Sequence, residues 1–234
     1  MKVFIGYDSR ENEAWNVAKS SMQKRSSIPL DIQPIDMRML QKTGIYRRLT
    51  VYRNKRLWDI PSQAPISTSH AIARFFIPIL VESGWVLFTD GDILVRKDIA
   101  QLIDCRDSQY AMMVVKHAYS PTDGVKKRGE IQQPYPRKNW SSVMLWNLDH
   151  TANRALTLTE LNTWPGRDLH AFKWLKDEDI GELPEEWNWL SGHSASDIEP
   201  AIVHFTEGLP DTIEHEHDSY ADDWRAAQME LEAV

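Results

Sequence analysis

The sequence predicts an α/β protein in which helices flank a central, mostly parallel sheet. The chain opens on a short apolar run at residues 3–7, and apolar residues at helical spacing follow over residues 11–23. Apolar and polar residues then alternate over residues 30–35, as they do in a strand. A strand, a helix and a second strand at this spacing form a βαβ unit, whose two strands pair in parallel.

The rest of the chain continues the alternation of strands and helices. Residues 71–80 form an apolar run that the serines and threonine just before it can cap, so they predict a helix. Further strands are predicted at 85–89, 111–115, 143–148 and 201–205, and further helices at 150–162, 168–175 and 219–233. Residues 118–140 hold three prolines and two glycines and predict a long loop, which in a compact domain is usually functional or mobile.

Length and composition exclude several classes of function. The 234 residues can bury a large core, and no repeat or clear linker divides them, so we expect a single domain over residues 1–234. Lys and Arg number 27 against 34 Asp and Glu, and the net charge of −7 argues against nucleic acid or an anionic membrane as the main partner. One cysteine excludes a disulfide framework. With no secretory signal and no apolar stretch of about 20 residues, we expect a cytoplasmic protein without a transmembrane segment.

One segment is strongly basic although the chain as a whole is acidic. Residues 42–56 carry six basic side chains and no acidic one. This segment is either a clamp for phosphates or for an anionic acceptor, or a solvated face without a function, and the sequence favours neither.

The most informative stretch is residues 85–92, where an apolar strand runs into Asp90, Gly91 and Asp92. In open α/β sheets, ligands bind beyond the carboxyl ends of the strands, so both carboxylates are expected to point into that crevice. Two carboxylates held this close repel each other unless a cation lies between them. Oxygen ligands of this kind suit Mg²⁺ or Mn²⁺, ions that commonly bind a diphosphate.

A purely structural interpretation is open for the same residues. Asp-Gly between apolar runs is the strongest short-range signal for a β-hairpin, in which Asp90 and Gly91 form a tight type I′ turn. On the dipeptide alone the two interpretations are equally favoured, so the motifs elsewhere in the chain decide between them.

Six segments, in order along the chain, resemble the family 8 glycosyltransferases. These are retaining enzymes with the GT-A fold that include bacterial lipopolysaccharide galactosyl- and glucosyltransferases and glycogenin. The segment at 88–95 is similar to the Asp-X-Asp motif of that family, and the segment at 202–206 to the late strand whose histidine completes the metal site. The six segments are residues 3–8, 71–78, 88–95, 140–147, 177–188 and 202–206.

The resemblance implies a single GT-A, or Rossmann-like, domain. Its first half, about residues 1–115, is expected to bind the nucleotide sugar, and its second half, about residues 116–234, to bind the acceptor and complete the metal site. The implied reaction is metal-dependent transfer of a hexose from a nucleoside-diphosphate sugar, a UDP-sugar first among them, to a saccharide or glycolipid acceptor. The implied cofactor is Mn²⁺ or Mg²⁺, the anomeric configuration is retained, and polysaccharide biosynthesis is the implied context.

The resemblance also assigns roles to individual residues. Asp90, Asp92 and His204 are expected to hold the metal ion. Asp177 and Glu178 are expected to be catalytic, because a carboxylate at Glu178, where the family has glutamine, can act as a nucleophile or stabilise an oxocarbenium-like centre. An exposed acidic turn is the alternative for these two residues. The residues implied to bind the donor are Tyr7, Asp8, Arg74, Asp90, Gly91 and Asp177.

The sequence departs from the family after His204. The family's diphosphate-binding lysine and the Pro-Trp after it are replaced by Leu209, Pro210 and Asp211. The basic residues of 42–56 or of 126–128 are the candidates to supply the missing charge. The departure also leaves open an alternative function, that of a non-catalytic or degenerate module that binds carbohydrate or a nucleotide sugar.

Overall fold

A six-stranded sheet forms the centre of the computed structural model, which describes residues 1–118, 124–125, 131–132 and 137–232. Five of its strands run in one direction and β11 runs against them, so the prediction of a mixed, mostly parallel sheet is confirmed. In spatial order the strands are β12 (Ile180–Glu182), β8 (Met112–Val114), β11 (Val143–Asn147), β6 (Trp85–Thr89), β1 (Lys2–Gly6) and β2 (Asp31–Ile35).

Smaller sheets and seven helices complete the described ranges. One small sheet holds β13 (Trp189–Leu190), β14 (Ile202–His204) and β7 (Ile93–Val95), another holds β3 (Thr50–Arg53), β4 (Arg56–Asp59) and β5 (Ala64–Pro65), and β9 (Gly124–Val125) pairs with β10 (Ile131–Gln132). The helices are α1 (Asn12–Lys24), α2 (Met37–Lys42), α3 (Ile77–Leu80), α4 (Ile99–Asp104), α5 (Leu158–Thr163), α6 (Gly166–His170) and α7 (Ala221–Glu232). Within the described ranges, the helices are all too short or too polar to cross a membrane.

The core follows from the periodicity of the sequence. Helix α1 buries Ala14, Val17, Ala18 and Met22, which recur at intervals of three and four residues and so form one stripe facing the sheet. Strand β6 is buried on both faces between β1 and β11, which is why it reads as a continuous apolar run rather than an alternating one.

Three predicted helices are shorter than their apolar patterns indicate. In the segment 150–162, a 3₁₀ turn at Thr151–Ala155 precedes α5. In the segment 71–80, the chain makes a 3₁₀ turn at Ala73–Phe76 before α3, and Pro78 lies in the first turn of α3, where its missing N–H costs nothing. In the segment 168–175, α6 ends early because Phe172 adopts a φ of +50°, a left-handed conformation that cannot continue a helix.

The hairpin of β3 and β4 overlaps the end of the basic segment and was not predicted as a hairpin. Its two turn residues, Asn54 and Lys55, have φ angles of 49° and 62°, as a type I′ turn requires. Because lysine stands where such turns usually have glycine, the sequence lacks the usual hairpin signal.

A buried ion pair holds the base of this hairpin. Arg48 Nε lies 2.9 Å from Asp59 Oδ1, and both side chains are almost entirely buried. The same guanidinium donates hydrogen bonds to the carbonyl oxygens of Leu161 (2.6 Å) and Trp164 (2.9 Å). The hairpin is thereby fixed to the segment around α5.

Candidate functional site

Three residues that the sequence predicts as metal ligands meet at the carboxyl edge of the central sheet. Asp90 directly follows β6, Asp92 directly precedes β7, and His204 is the last residue of β14. Strand β14 pairs antiparallel with β7, and one ligating atom from each of the three residues lies within 4.8 Å of the others. In the ranges that the structure describes, this is the only such group of three or more potential ligands.

The interpretation of Asp90 and Gly91 as a hairpin turn is wrong. Within the described structure, β6 belongs to the central sheet whereas β7 pairs with β14 in a separate sheet. The chain here passes over the end of β1, and a Cβ on Gly91 would lie 2.6 Å from the carbonyl oxygen of Gly6. Glycine is therefore required between the two aspartates by a close backbone approach.

We expect Gly91→Ala to displace both aspartates and to lower the free energy of unfolding by about 1–3 kcal/mol, the usual cost of overpacking. The clash is with a main-chain oxygen, which cannot rotate away. Urea unfolding and Mn²⁺ titration measure the two effects. Gly44→Ala is the control, because its φ of +73° adds backbone strain but its Cβ meets nothing within 4 Å. A Gly91→Ala variant with unchanged stability and metal affinity contradicts this account.

Asn188 determines which nitrogen of His204 carries the proton. The amide nitrogen of Asn188 donates to the carbonyl oxygen of Asn139 (3.2 Å), so its Oδ1 accepts from His204 Nδ1 (3.0 Å). In the neutral ring the lone pair of Nε2 then points at Asp92, whose Oδ1 lies 3.3 Å away. That oxygen is buried and receives no hydrogen bond from the described chain. Two acceptors that face each other in this way fit a cation bound between them.

Asp90 is ionised in a buried position. Arg74 Nη2 lies 2.7 Å from Oδ1, Arg74 Nη1 lies 3.1 Å from Oδ2, and His70 Nε2 lies 3.1 Å from Oδ1. Burial would raise the pKa of Asp90, but the charge of Arg74 and the hydrogen bond from His70 hold it well below its usual range. Arg74 also donates to the carbonyl oxygen of Ser141 (2.8 Å), which fixes the guanidinium beside the carboxylate.

Two histidines of this network were not predicted as site residues. His70 packs its ring on Gly6, where an added Cβ would lie 2.6 Å from the ring. His170 Nδ1 lies 2.7 Å from the hydroxyl of Ser141, and burial together with the charge of Arg74 lowers the pKa of His170 to about 3, so its ring is neutral. The four-residue spacing of His70 and Arg74 was an available signal, since it places both on one helical face. The sequence carries no comparable signal for His170.

Tyr7 and Asp8 follow the end of β1, at the same edge of the sheet. The Asp8 carboxylate is buried and accepts hydrogen bonds from Arg10 Nε (3.0 Å), Arg10 Nη2 (2.7 Å) and the backbone N–H of Ser69 (2.9 Å). Burial would raise the pKa of Asp8, yet these bonds and the charge of Arg10 hold it well below its usual range. Asp8 thereby ties the end of β1 to the segment that leads into His70.

We expect Asp8 to make the folded protein sensitive to acid. Its pKa is lower in the folded chain than in the unfolded chain, where it is about 3.9. Its contribution to stability is therefore complete above the unfolded pKa and is lost as the pH falls below about 4. In Asp8→Asn, the free energy of unfolding should fall less between pH 7 and pH 3 than it does in the wild type. Urea unfolding at both pH values checks this, and an unchanged pH dependence contradicts it.

The structure does not bring Asp177 and Glu178 into the group around Asp90. They precede β12, which begins level with the start of β6, whereas Asp90 follows the end of β6. The side chain of Asp177 pairs with Arg137 and is 91% exposed, and Glu178 pairs with Lys176 in solvent. The structure thus places these residues in an exposed acidic turn, and their catalytic role stays a prediction.

Fold and site together define a class of protein: an α/β protein with three potential metal ligands at the carboxyl edge of its sheet. The family model described as glycosyl transferase family 8 matches residues 15–209. Protein CDI of Arabidopsis thaliana is 41% identical over 215 residues, which cover 89% of this chain and 78% of that protein. The chain belongs to glycosyl transferase family 8, and it is a glycosyltransferase.

Solved structures share the fold. The apo bifunctional glycosyltransferase WbbM matches with a TM-score of 0.64 and 17% identity, over 97% of this chain and 49% of that one. GlyE of Streptococcus pneumoniae TIGR4 matches with a TM-score of 0.61 and 15% identity, over 97% of this chain and 60% of that one. Galactosyltransferase LgtC, in complex with donor and acceptor sugar analogs, matches with a TM-score of 0.59 and 12% identity, over 98% of this chain and 96% of that one. The chain thus spans about half of WbbM, three fifths of GlyE and nearly all of LgtC, and the predicted GT-A fold is confirmed.

Proposed function

We propose that the chain transfers a hexose from a nucleoside-diphosphate sugar to a saccharide or glycolipid acceptor, in a metal-dependent reaction that retains the anomeric configuration. A UDP-sugar is the first donor to test. The observation that carries the proposal is the group of Asp90, Asp92 and His204, in which acceptor atoms face each other at the edge where α/β proteins bind ligands. Family membership supports the transfer chemistry, and the LgtC complex with donor and acceptor sugar analogs supports paired sugar sites.

Mn²⁺ or Mg²⁺ fits the donor atoms of this group. Asp92 and His204 would hold the ion, with Asp90 as the third ligand. The imidazole favours Mn²⁺, because Mg²⁺ takes oxygen ligands almost exclusively. When bound, such an ion supplies Lewis-acid stabilisation of the diphosphate that leaves.

The residues of the chain itself would orient the donor and hold the ligands. Tyr7 and Gly91 would contact the nucleotide where β1 and β6 end, and Asp8 would hold that edge in place. Arg74 keeps Asp90 ionised and oriented. The catalytic roles of Asp177 and Glu178, and donor binding by Asp177, stay predictions, because both side chains lie in solvent. Where neither carboxylate acts as a nucleophile, retention requires the acceptor to attack from the face that the diphosphate leaves.

We propose the same division of the domain that the resemblance implies. The half before about residue 115 would bind the donor and supplies Asp90 and Asp92, and the half after it would bind the acceptor and supplies His204. Most of the loop 118–140, with the basic residues at 126–128, lies outside the described residues. Leu209 is buried against Trp189, so the position that differs from the family's phosphate-binding segment is used for packing.

A donor panel tests the proposal. The protein is incubated with nucleotide sugars and Mn²⁺, and release of the nucleoside diphosphate is assayed. We expect release with one or a few donors, loss of release with a chelator, and recovery on adding Mn²⁺. Activity that survives full chelation contradicts the metal site. Binding of a donor by calorimetry without any release favours the alternative, a degenerate sugar-binding module.

A further inference from the structure

The hairpin of β3 and β4 exposes basic and large apolar side chains together. Arg53 and Lys55 are exposed at and beside its turn, Tyr52 beside them is 76% exposed, and Leu49, just before β3, is 63% exposed. We call these four residues the hairpin patch. Large apolar side chains that lie in water next to basic ones form the pattern of surfaces that bind at a membrane interface.

The described residues do not balance the charges of the hairpin patch. In the described chain, neither Arg53 nor Lys55 has an acidic partner, and Arg53 instead lies over the ring of Trp58, 5.4 Å from its centroid. The base of the hairpin is fixed by the buried pair of Arg48 and Asp59, so the patch is presented on a firmly held element. These basic groups are therefore available to a ligand outside the molecule.

The turn itself is built at a conformational cost. Lys55 has a φ of 62°, a region that side chains with a Cβ adopt only with strain and in which type I′ turns usually have glycine. A lysine places a charge at the extreme tip of the hairpin where glycine would make the turn more stable. Strain of this kind at an exposed charged residue points to a use for the charge.

We propose that the hairpin patch docks the protein on an anionic lipid bilayer. Each basic residue near an anionic leaflet strengthens binding about fivefold, and a tyrosine ring is suited to the level of the lipid headgroups. A soluble polyanion would pair with Arg53 and Lys55 but would leave Tyr52 and Leu49 in water, which is why a lipid surface is favoured. The net charge of −7 repels the rest of the molecule from the leaflet and so orients the hairpin toward it.

Cosedimentation of the full chain with lipid vesicles tests this inference, without donor or metal, so the result is independent of the transferase activity. We expect binding to phosphatidylcholine vesicles that contain phosphatidylserine, weak binding to phosphatidylcholine alone, and weaker binding as salt is raised. Lys55→Gly should weaken binding about fivefold while the resistance to urea stays equal or rises, because glycine relaxes the turn. Tyr52→Ser should weaken binding without any change of charge.

Arg154→Ser is the control, since it removes an exposed basic residue that is not part of the hairpin. We expect it to bind vesicles as the wild type does. Equal binding to both kinds of vesicle, or the same loss in Arg154→Ser as in Lys55→Gly, overturns the inference. Binding to dextran sulfate but not to phosphatidylserine vesicles also overturns it, and assigns the patch to a soluble polyanion.

Discussion

Asp92→Asn should abolish glycosyl transfer and leave the fold intact. The substitution removes a metal-binding charge but keeps the shape of the side chain. Loss of about 4 kcal/mol of leaving-group stabilisation corresponds to a rate about a thousandfold lower. In the wild type, the Asp92 carboxylate and His204 Nε2 face each other as two acceptors. The side-chain amide of the variant can instead donate a hydrogen bond to Nε2, so we expect the free energy of unfolding to be equal to that of the wild type or higher.

Mn²⁺ titration by calorimetry and turnover with a donor found by the panel measure this effect. Asp104→Asn is the matched control, because it makes the same chemical change at an exposed residue at the end of α4. It should change neither metal affinity nor turnover. Wild-type metal affinity in Asp92→Asn would contradict the assignment of Asp92 as a ligand.

Arg48→Met should lower the free energy of unfolding by about 3–5 kcal/mol, the usual cost of leaving a buried charge without its partner. Asp59 would keep its charge in a buried site, and the carbonyl oxygens of Leu161 and Trp164 would lose their donor. Urea unfolding measures the loss. The double variant Arg48→Met/Asp59→Leu should be more stable than the single one, because no unpaired charge then stays in the interior.

Lys2→Met provides a comparison for that prediction. Lys2 pairs with Asp31 at 3.6 Å, and both side chains are substantially exposed, so its loss should cost less than about 1 kcal/mol. Equal effects of Arg48→Met and Lys2→Met would show that burial does not govern the strength of the hairpin's ion pair.

The group of Asp90, Asp92 and His204 was predictable because its residues lie next to strands. An apolar run that ends in Asp90, Gly91 and Asp92 places the carboxylates at a sheet edge whatever the rest of the fold, and His204 ends another apolar run. The partners that orient them were not predictable in the same way. Asn188 contacts His204 across the pairing of β13 with β14, a contact that depends on tertiary packing rather than on local pattern.

The exposed placement of Asp177 and Glu178 was not predictable for a related reason. A run of acidic residues has the same local pattern whether its turn faces a ligand or solvent. Because β12 pairs in parallel with β8, the residues just before β12 lie at the start of the sheet rather than at its carboxyl edge. The sequence carries no signal for this pairing direction, which depends on tertiary packing.

The pairing of β14 with β7 has a consequence for how the enzyme is made. As the chain is synthesised from its amino terminus, Asp90 and Asp92 are available for folding long before His204 has been added. The group of Asp90, Asp92 and His204 is therefore incomplete until β14 docks on β7. A product of premature termination or proteolysis that ends before residue 202 would keep the first βαβ unit and both aspartates but lack the imidazole, so enzymatic activity would report that synthesis has passed His204.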